Sequence, residues 1–354
     1  MQMTSYQVQE FGKPLVQAIR EVPQPKGTEI VVRIASCGVC HSDAHMQDGY
    51  FDLGGGNRLD VSRTVQPPRT LGHEIAGTVV AVGPDAGGVQ AGDRGVVYPW
   101  IGCGTCELCT RGQEHLCPTP HALGVARDGG FATHVLVPHP RYLVPFGSLP
   151  EDQACTYACA GLTAYSALRK VRQLEQGASL LVIGAGGVGL SGIRLAQRVC
   201  GVQPIVVEPD QGKWELAKAA GARDVVDPNA DGALKALIKA TGGGANAVVD
   251  FVGSGSSFAF GQGALRKAGR MVCVGLLGGA TNIVPAMLSL KAVTLVGSYV
   301  GTLQELEELL ALAQKEALPP LPVTARGLDA VNEALEDLRG GRVRGRVVLK
   351  GVGG

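Results

Sequence analysis

The sequence predicts a two-part α/β protein: a doubly wound parallel sheet joined to a second, mainly β domain. Three observations carry this. From Ser179 onward, apolar strand-like runs alternate with amphipathic helical stretches, the pattern of a parallel sheet covered by helices. Gly184, Gly186 and Gly189 follow the first of those runs with the spacing G-x-G-x-x-G, just before a helical stretch, Leu190–Arg198. Before Pro150 the chain is a series of short alternating segments broken by glycine and proline, which reads as all-β structure with frequent turns. A length of 354 residues is long for a single core and favours two domains.

Composition narrows the function classes. Hydrophobic residues at 45% and charged residues at 18% describe a folded globular chain. A net charge of +1 argues against a nucleic-acid or anionic-membrane surface. No apolar run approaches the about 20 residues needed to span a bilayer. The opening Met1–Tyr6 has no basic-then-apolar stretch, so a cytoplasmic location is expected. In a reducing compartment, ten cysteines point to metal ligands and not to disulfides.

Along the first half, Ile30–Ala35, Ile75–Val82, Gly95–Tyr98 and Ala132–Val137 read as strands, whereas 50–70 reads as irregular. Glu151–Val171 reads as helix. Beyond it, strands are expected at Ser179–Ile183, Pro204–Val207, Asp224–Val226, Ala247–Phe251, Arg270–Val274 and Thr294–Gly297. Helices are expected at Leu190–Arg198, Lys213–Ala219, Leu234–Thr241 and Leu303–Lys315. The last strand is expected at Gly345–Leu349.

The glycine loop has a specific physical reading. Gly184 allows the tight turn, Gly186 lets the backbone approach a pyrophosphate, and Gly189 lets helix and strand pack closely. The helix N-terminus that follows offers free N–H groups and a positive dipole end to the phosphates, so Gly187 and Val188 join Gly184, Gly186 and Gly189 as expected cofactor-binding residues. Glu208 ends the second strand, where an acid binds the adenosine ribose hydroxyls and repels a 2′-phosphate. NAD is therefore expected over NADP, and Asp210 adds to the repulsion.

Two cysteine patterns suggest metal. Cys103, Cys106, Cys109 and Cys117 form C-x2-C-x2-C-x7-C, dense enough to close a tetrahedral shell around one structural zinc. An iron–sulfur cluster is the chemical competitor, but nothing else in the chain suggests electron transfer. A second, open site would be assembled from Cys40, His73 and Cys159, since Cys2His is a known catalytic zinc set. Asp43 is of the right type to accept the other ring N–H of His73. Glu74 could support the ligands or briefly replace one. Cys37 and Cys155 remain rivals for the two thiolate positions, and spacing alone does not choose between them.

At these residues the chain resembles the zinc-dependent medium-chain alcohol dehydrogenases. The likeness lies in Cys-Gly-Val-Cys-His-Ser-Asp at 37–43, Gly-His-Glu at 72–74, the four-cysteine loop, Cys-Ala-Gly-Leu-Thr-Ala-Tyr at 159–165, the glycine loop and Gly345-Arg346. It covers essentially the whole chain. It implies a GroES-like catalytic domain at 1–160 and 300–354 and a Rossmann NAD-binding domain at 161–299. It implies catalytic zinc on Cys40, His73 and Cys159, with His41, Thr163, Lys213 and Arg346 on the cofactor. The implied reaction is reversible hydride transfer between a primary or secondary alcohol, aliphatic or benzylic, and NAD. Ser42 would take the hydroxyl proton and pass it through the cofactor ribose to His45, whose ordinary pKa suits a relay to solvent. Assembly as a homodimer or homotetramer is implied by the same resemblance.

Two features depart from the family pattern. His41 stands where some relatives carry arginine, so weaker pyrophosphate binding is expected. The 47–70 segment is longer than usual, and either caps the pocket, meets another subunit or is a tolerated loop. Trp100 and Tyr50 are candidate pocket walls. The competing functions are a polyol or sugar dehydrogenase of the same fold and a non-catalytic NAD- and zinc-binding protein. A zinc-free quinone or enoyl reductase would have no use for Cys40, His73 and Cys159.

Overall fold

The computed structural model describes residues 1–171 and 173–351. Its nucleotide-type sheet has six parallel strands in the order Asp224–Val226, Ile205–Val207, Leu180–Ile183, Ala245–Asp250, Leu265–Cys273, Thr294–Gly297. The order grows outward in both directions from Leu180–Ile183. A topological switch point, and hence a ligand crevice, therefore lies at the carboxyl end of that strand. The central strands Leu180–Ile183 and Ile205–Val207 are buried and apolar on both faces because helices cover both. Leu181, Ile183, Ile205 and Val207 enter one buried cluster, while Val182 and Val206 enter another.

The second sheet has the order Leu143–Val144, Arg94–Val97, Glu74–Val82, Ile30–Gly38, Arg346–Lys350, Val323–Gly327, and His134–Val137 also pairs with Ile30–Gly38. Ile30–Gly38 is its organising strand, and its register brings sequence-distant residues together. Gly38 lies opposite both Glu74 and Val348. A Cβ on Gly38 would lie 1.9 Å from Glu74 Oε2, so glycine is what leaves room for that carboxylate. The main buried cluster runs from this sheet into the other, taking in Leu180, Val249 and Val272. Among the described residues no helix is long and apolar enough to cross a membrane.

Two expectations are corrected. Glu151–Val171 is not one helix: Glu151–Ala154 passes into a 3-10 turn, Cys155–Ala158, and a new helix spans Ala160–Val171. The break falls at Cys159, whose backbone (φ −131°, ψ −71°) is not helical. The 50–70 segment is not wholly irregular, because Tyr50–Gly54 and Asn57–Asp60 pair as an antiparallel hairpin. Its strands are largely exposed, so they carry none of the apolar alternation that betrays a half-buried strand. Helix His41–Asp48 was hidden in a polar motif; Asp43 caps it by accepting the Cys40 N–H at 2.9 Å.

Candidate active site

Cys40, His73 and Cys159 are buried, and their ligand atoms lie within 4.8 Å of one another. Three separate elements bring them there. Cys40 follows strand Ile30–Gly38, His73 precedes strand Glu74–Val82, and Cys159 occupies the break before helix Ala160–Val171. The wholly buried Asp43 carboxylate accepts from His73 Nδ1 at 3.0 Å and from the Gly72 N–H at 3.1 Å. A carboxylate can only accept, so the bond fixes the tautomer and turns the Nε2 lone pair toward the two thiols. Nε2 is buried without a hydrogen-bond partner, a costly arrangement unless something else binds it. Burial opposes protonation of His73, whereas Asp43 and Cys40 favour it and raise the pKa well above the ordinary value; a metal at Nε2 would displace that proton, as metal binding to histidine does. The hydrogen bond between the two thiols pulls the Cys40 pKa down, aided by His73, and pushes the Cys159 pKa up. A buried, preoriented imidazole between two thiols, one tending to thiolate, is the donor chemistry that suits zinc.

Glu74 is outside this group. Its carboxylate accepts the Ala160 N–H at 3.0 Å and pairs with the Arg346 guanidinium, both side chains being buried. With its oxygens engaged by Ala160 and Arg346, Glu74 supports the Cys159 turn in this structure. Arg346 in turn packs against the glycine loop; a Cβ on Gly187 would lie 2.6 Å from its Cδ. The three candidate ligands and the loop are thus connected through Glu74 and Arg346.

The glycine loop has the geometry a dinucleotide needs. Gly184 has φ +92°, and a Cβ on Gly189 would lie 2.0 Å from Gly184 O, so the third glycine packs against the turn made by the first. A Cβ on Gly186 would meet nothing within 4 Å, which leaves that side open to a ligand. Helix Gly187–Cys200 begins here and points its free N–H groups at the opening. The buried Glu208 carboxylate accepts the Ala185 N–H at 2.8 Å and the Asp210 N–H at 2.9 Å, and Lys213 Nζ lies 3.9 Å from it. Thr163 sits one turn along its helix, its N–H bonded to Cys159 O at 2.8 Å. His41 remains exposed in the first turn of helix His41–Asp48.

Cys103, Cys106, Cys109 and Cys117 also converge within 4.8 Å. Sulfur separations of 4.0 Å (Cys103–Cys109) and 3.9 Å (Cys106–Cys117) match the about 3.8 Å expected for a tetrahedron with bonds of about 2.3 Å. Backbone N–H groups of Thr105 and Cys106 pull the Cys103 thiol down to about 5, favouring the thiolate that binds metal. Glu114 braces the loop from inside, accepting from Tyr142 Oη at 2.7 Å and from Arg141 at 2.8 Å.

Comparison with known proteins fits this geometry. Residues 26–150 match the alcohol dehydrogenase GroES-like domain family, and residues 187–315 match the zinc-binding dehydrogenase family. The chain is 37% identical over 349 residues to the NAD-dependent alcohol dehydrogenase of Sulfurisphaera tokodaii, covering 98% of this chain and 99% of that one. It is 36% identical over 349 residues to the corresponding protein of Saccharolobus solfataricus, with the same coverage. The crystal structure of the alcohol dehydrogenase from Aeropyrum pernix superposes with a TM-score of 0.87 at 31% identity, over 98% of this chain and 99% of that one. The chain belongs to the zinc-dependent medium-chain alcohol dehydrogenase family.

Within this family member, some residues near the three ligands were not legible from sequence. Trp100, a candidate wall, is buried with Nε1 bonded to Ala158 O at 3.0 Å, and its ring lies 5.2 Å from the His73 ring. Tyr299 meets Trp100 edge-on at 6.1 Å. Tyr299 is half exposed, but desolvation, with Cys159 and Cys40 adding to it, pushes its phenol up to about 12, which marks it as a neighbour of both thiols. No motif surrounds Tyr299; only the fold brings it there. Tyr50, the other candidate wall, carries the Arg58 guanidinium 4.0 Å over its ring, and Phe51 is the hairpin residue that meets His45.

Proposed function

We propose that this chain is an NAD-dependent, zinc-dependent alcohol dehydrogenase that interconverts primary or secondary alcohols with aldehydes or ketones. The observation that carries this reading is His73 Nε2, buried and unpartnered between two buried thiols. Cys40, His73 and Cys159 would hold the catalytic metal, and Cys103, Cys106, Cys109 and Cys117 a structural one. When bound, zinc supplies Lewis-acid polarisation of the alcohol or carbonyl oxygen and NAD carries the hydride. The chain's own work is then orientation and proton transfer. Asp43 holds the His73 tautomer. Ser42 takes the hydroxyl proton and His45 delivers it to solvent. The N–H groups at Gly187, Val188 and Gly189 receive the pyrophosphate with Arg346 and His41, Glu208 and Lys213 hold the adenosine ribose, and Thr163 contacts the nicotinamide. The division expected from sequence, 1–160 with 300–354 as catalytic domain and 161–299 as NAD domain, belongs to this reading, as does a cytoplasmic location.

Assembly as a homodimer or homotetramer is supported by one face. Leu276, Leu277, Ile283, Val284, Met287 and Leu290 are all exposed beside the outermost strand of the parallel sheet, Thr294–Gly297. An open edge next to exposed apolar side chains is ordinarily covered.

The test is a panel of primary, secondary and benzylic alcohols and polyols with NAD and NADP, before and after chelation. The expected result is NAD-linked turnover of simple alcohols, lost on chelation and restored by zinc, in a particle of at least two chains by light scattering. A preference for NADP, turnover of polyols alone, or activity indifferent to chelation would contradict the reading; a monomer would remove the assembly part alone.

The relay also sets a pH dependence. Burial, with help from His41 and Arg339, holds the His45 pKa below its ordinary 6.5, against Asp48 and Cys40. A base accepts a proton only when neutral, so His45 stays competent at neutral pH and is lost only below that value. Oxidation kcat is expected to fall on an acid limb lying below pH 6.5, and His45→Asn should abolish that limb. An unchanged pH profile in the variant would exclude the relay.

A further inference from the structure

The hairpin Tyr50–Asp60 leaves the helix that carries His45 and ends against the parallel sheet. At its root the Val61 N–H donates to Gly49 O at 3.1 Å. At its tip the Gly279 N–H donates to Leu53 O at 3.1 Å. The approach there is backbone to backbone: a Cβ on Gly54 would lie 2.3 Å from Gly279 Cα, and one on Gly278 would lie 2.1 Å from Asp52 O. The loop bearing Gly278 and Gly279 follows strand Leu265–Cys273, and the Gly278 N–H bonds Gly253 O at 3.1 Å, just past strand Ala245–Asp250. The hairpin is thus fastened at both ends, to the catalytic lobe and to the carboxyl ends of the parallel strands.

Successive strand side chains face opposite ways, so Phe51 turns away from the side on which Arg58 covers Tyr50. Its ring lies 4.6 Å from the His45 imidazole, tilted by 35°, a separation at which aromatic pairs attract. Among the described residues no protein group hydrogen-bonds the His45 ring. The charged and titratable groups around it are His41, Cys40 and Asp48 from its own segment and Arg339 from the packed helix Val331–Arg339. Arg339 is itself engaged by Ala44 O, Gln47 and Asp48. The last side-chain torsion of histidine is broad, so packing is what sets the direction of the ring nitrogens.

We propose that Phe51 is a positioning residue for the reaction: held on a hairpin fastened to both lobes, its ring keeps the His45 imidazole turned to accept the relayed proton. This rests on the relay role of His45 proposed above. The experiment is a double-mutant cycle on alcohol oxidation at saturating NAD, with zinc content and thermal unfolding measured on each variant. His45→Ala is expected to lower kcat by about tenfold or more. Phe51→Ala is expected to cost about fivefold alone and less than about twofold in the His45→Ala background, because residues acting as one unit are not additive. Phe51→Tyr, which keeps the ring, restores kcat. Phe51→Leu keeps apolar volume without a ring and behaves like Phe51→Ala, so the comparison survives if the alanine variant folds poorly. An equal loss from Phe51→Ala in both backgrounds, or no loss at all, overturns the positioning role while leaving the relay intact. An unaffected His45→Ala variant overturns the relay and this proposal with it.

Discussion

His73→Ala is expected to lower kcat/KM for alcohol oxidation by about a thousandfold or more, about 4 kcal/mol of transition-state stabilisation. It is also expected to take one of the two metal ions with it. The fold should survive, because Asp43 keeps the N–H donors of Gly72 and Cys40 when the imidazole is gone. The four-cysteine site shares no residue with the other and should keep its metal. Asp43→Asn provides the graded control: it leaves all three ligands but weakens the bond that orients His73, a class of change that costs about 10- to 100-fold. Metal analysis with steady-state kinetics reads both. Full activity in His73→Ala, or loss of both metals together, would separate the triad from catalysis.

Arg346→Met should produce the largest loss of stability. Glu74 and Arg346 are both buried, and removing one partner of such a pair typically costs about 3–5 kcal/mol because the other charge is stranded. Glu74 would keep only the Ala160 N–H. For a chain of 354 residues the unfolding midpoint should fall by about 4–7 °C. Arg346→Met combined with Glu74→Gln should recover much of it, since a matched uncharged pair strands nothing. Thermal unfolding of the three variants decides the matter; a single variant as stable as the parent would mean that Glu74 finds another partner.

Legibility in the sequence followed the length scale of each feature. The parallel sheet could be read because buried strands are short apolar runs separated by helical spacing, and Leu180–Ile183 with its glycine loop announces itself locally. The four-cysteine loop could be read because all its ligands fall within one turn-rich segment. The Cys40, His73 and Cys159 set could not be chosen over Cys37 or Cys155 by spacing, because β-register and a helix break assemble it. That break at Cys159 leaves no trace in an otherwise helical composition. The partner of Glu74 was not legible either: strand pairing puts it opposite Gly38 and within reach of Arg346, 272 positions away. The hairpin and Tyr299 were invisible for the same reason: their partners are distant loops.

The most direct measurement is anomalous diffraction from crystals of the zinc-loaded protein, recorded above and below the zinc edge. Two peaks per chain are predicted, one among Cys103, Cys106, Cys109 and Cys117 and one among Cys40, His73 and Cys159. A fully loaded crystal with no density at the second position, or with that metal on Cys37 or Cys155 instead, would contradict the account.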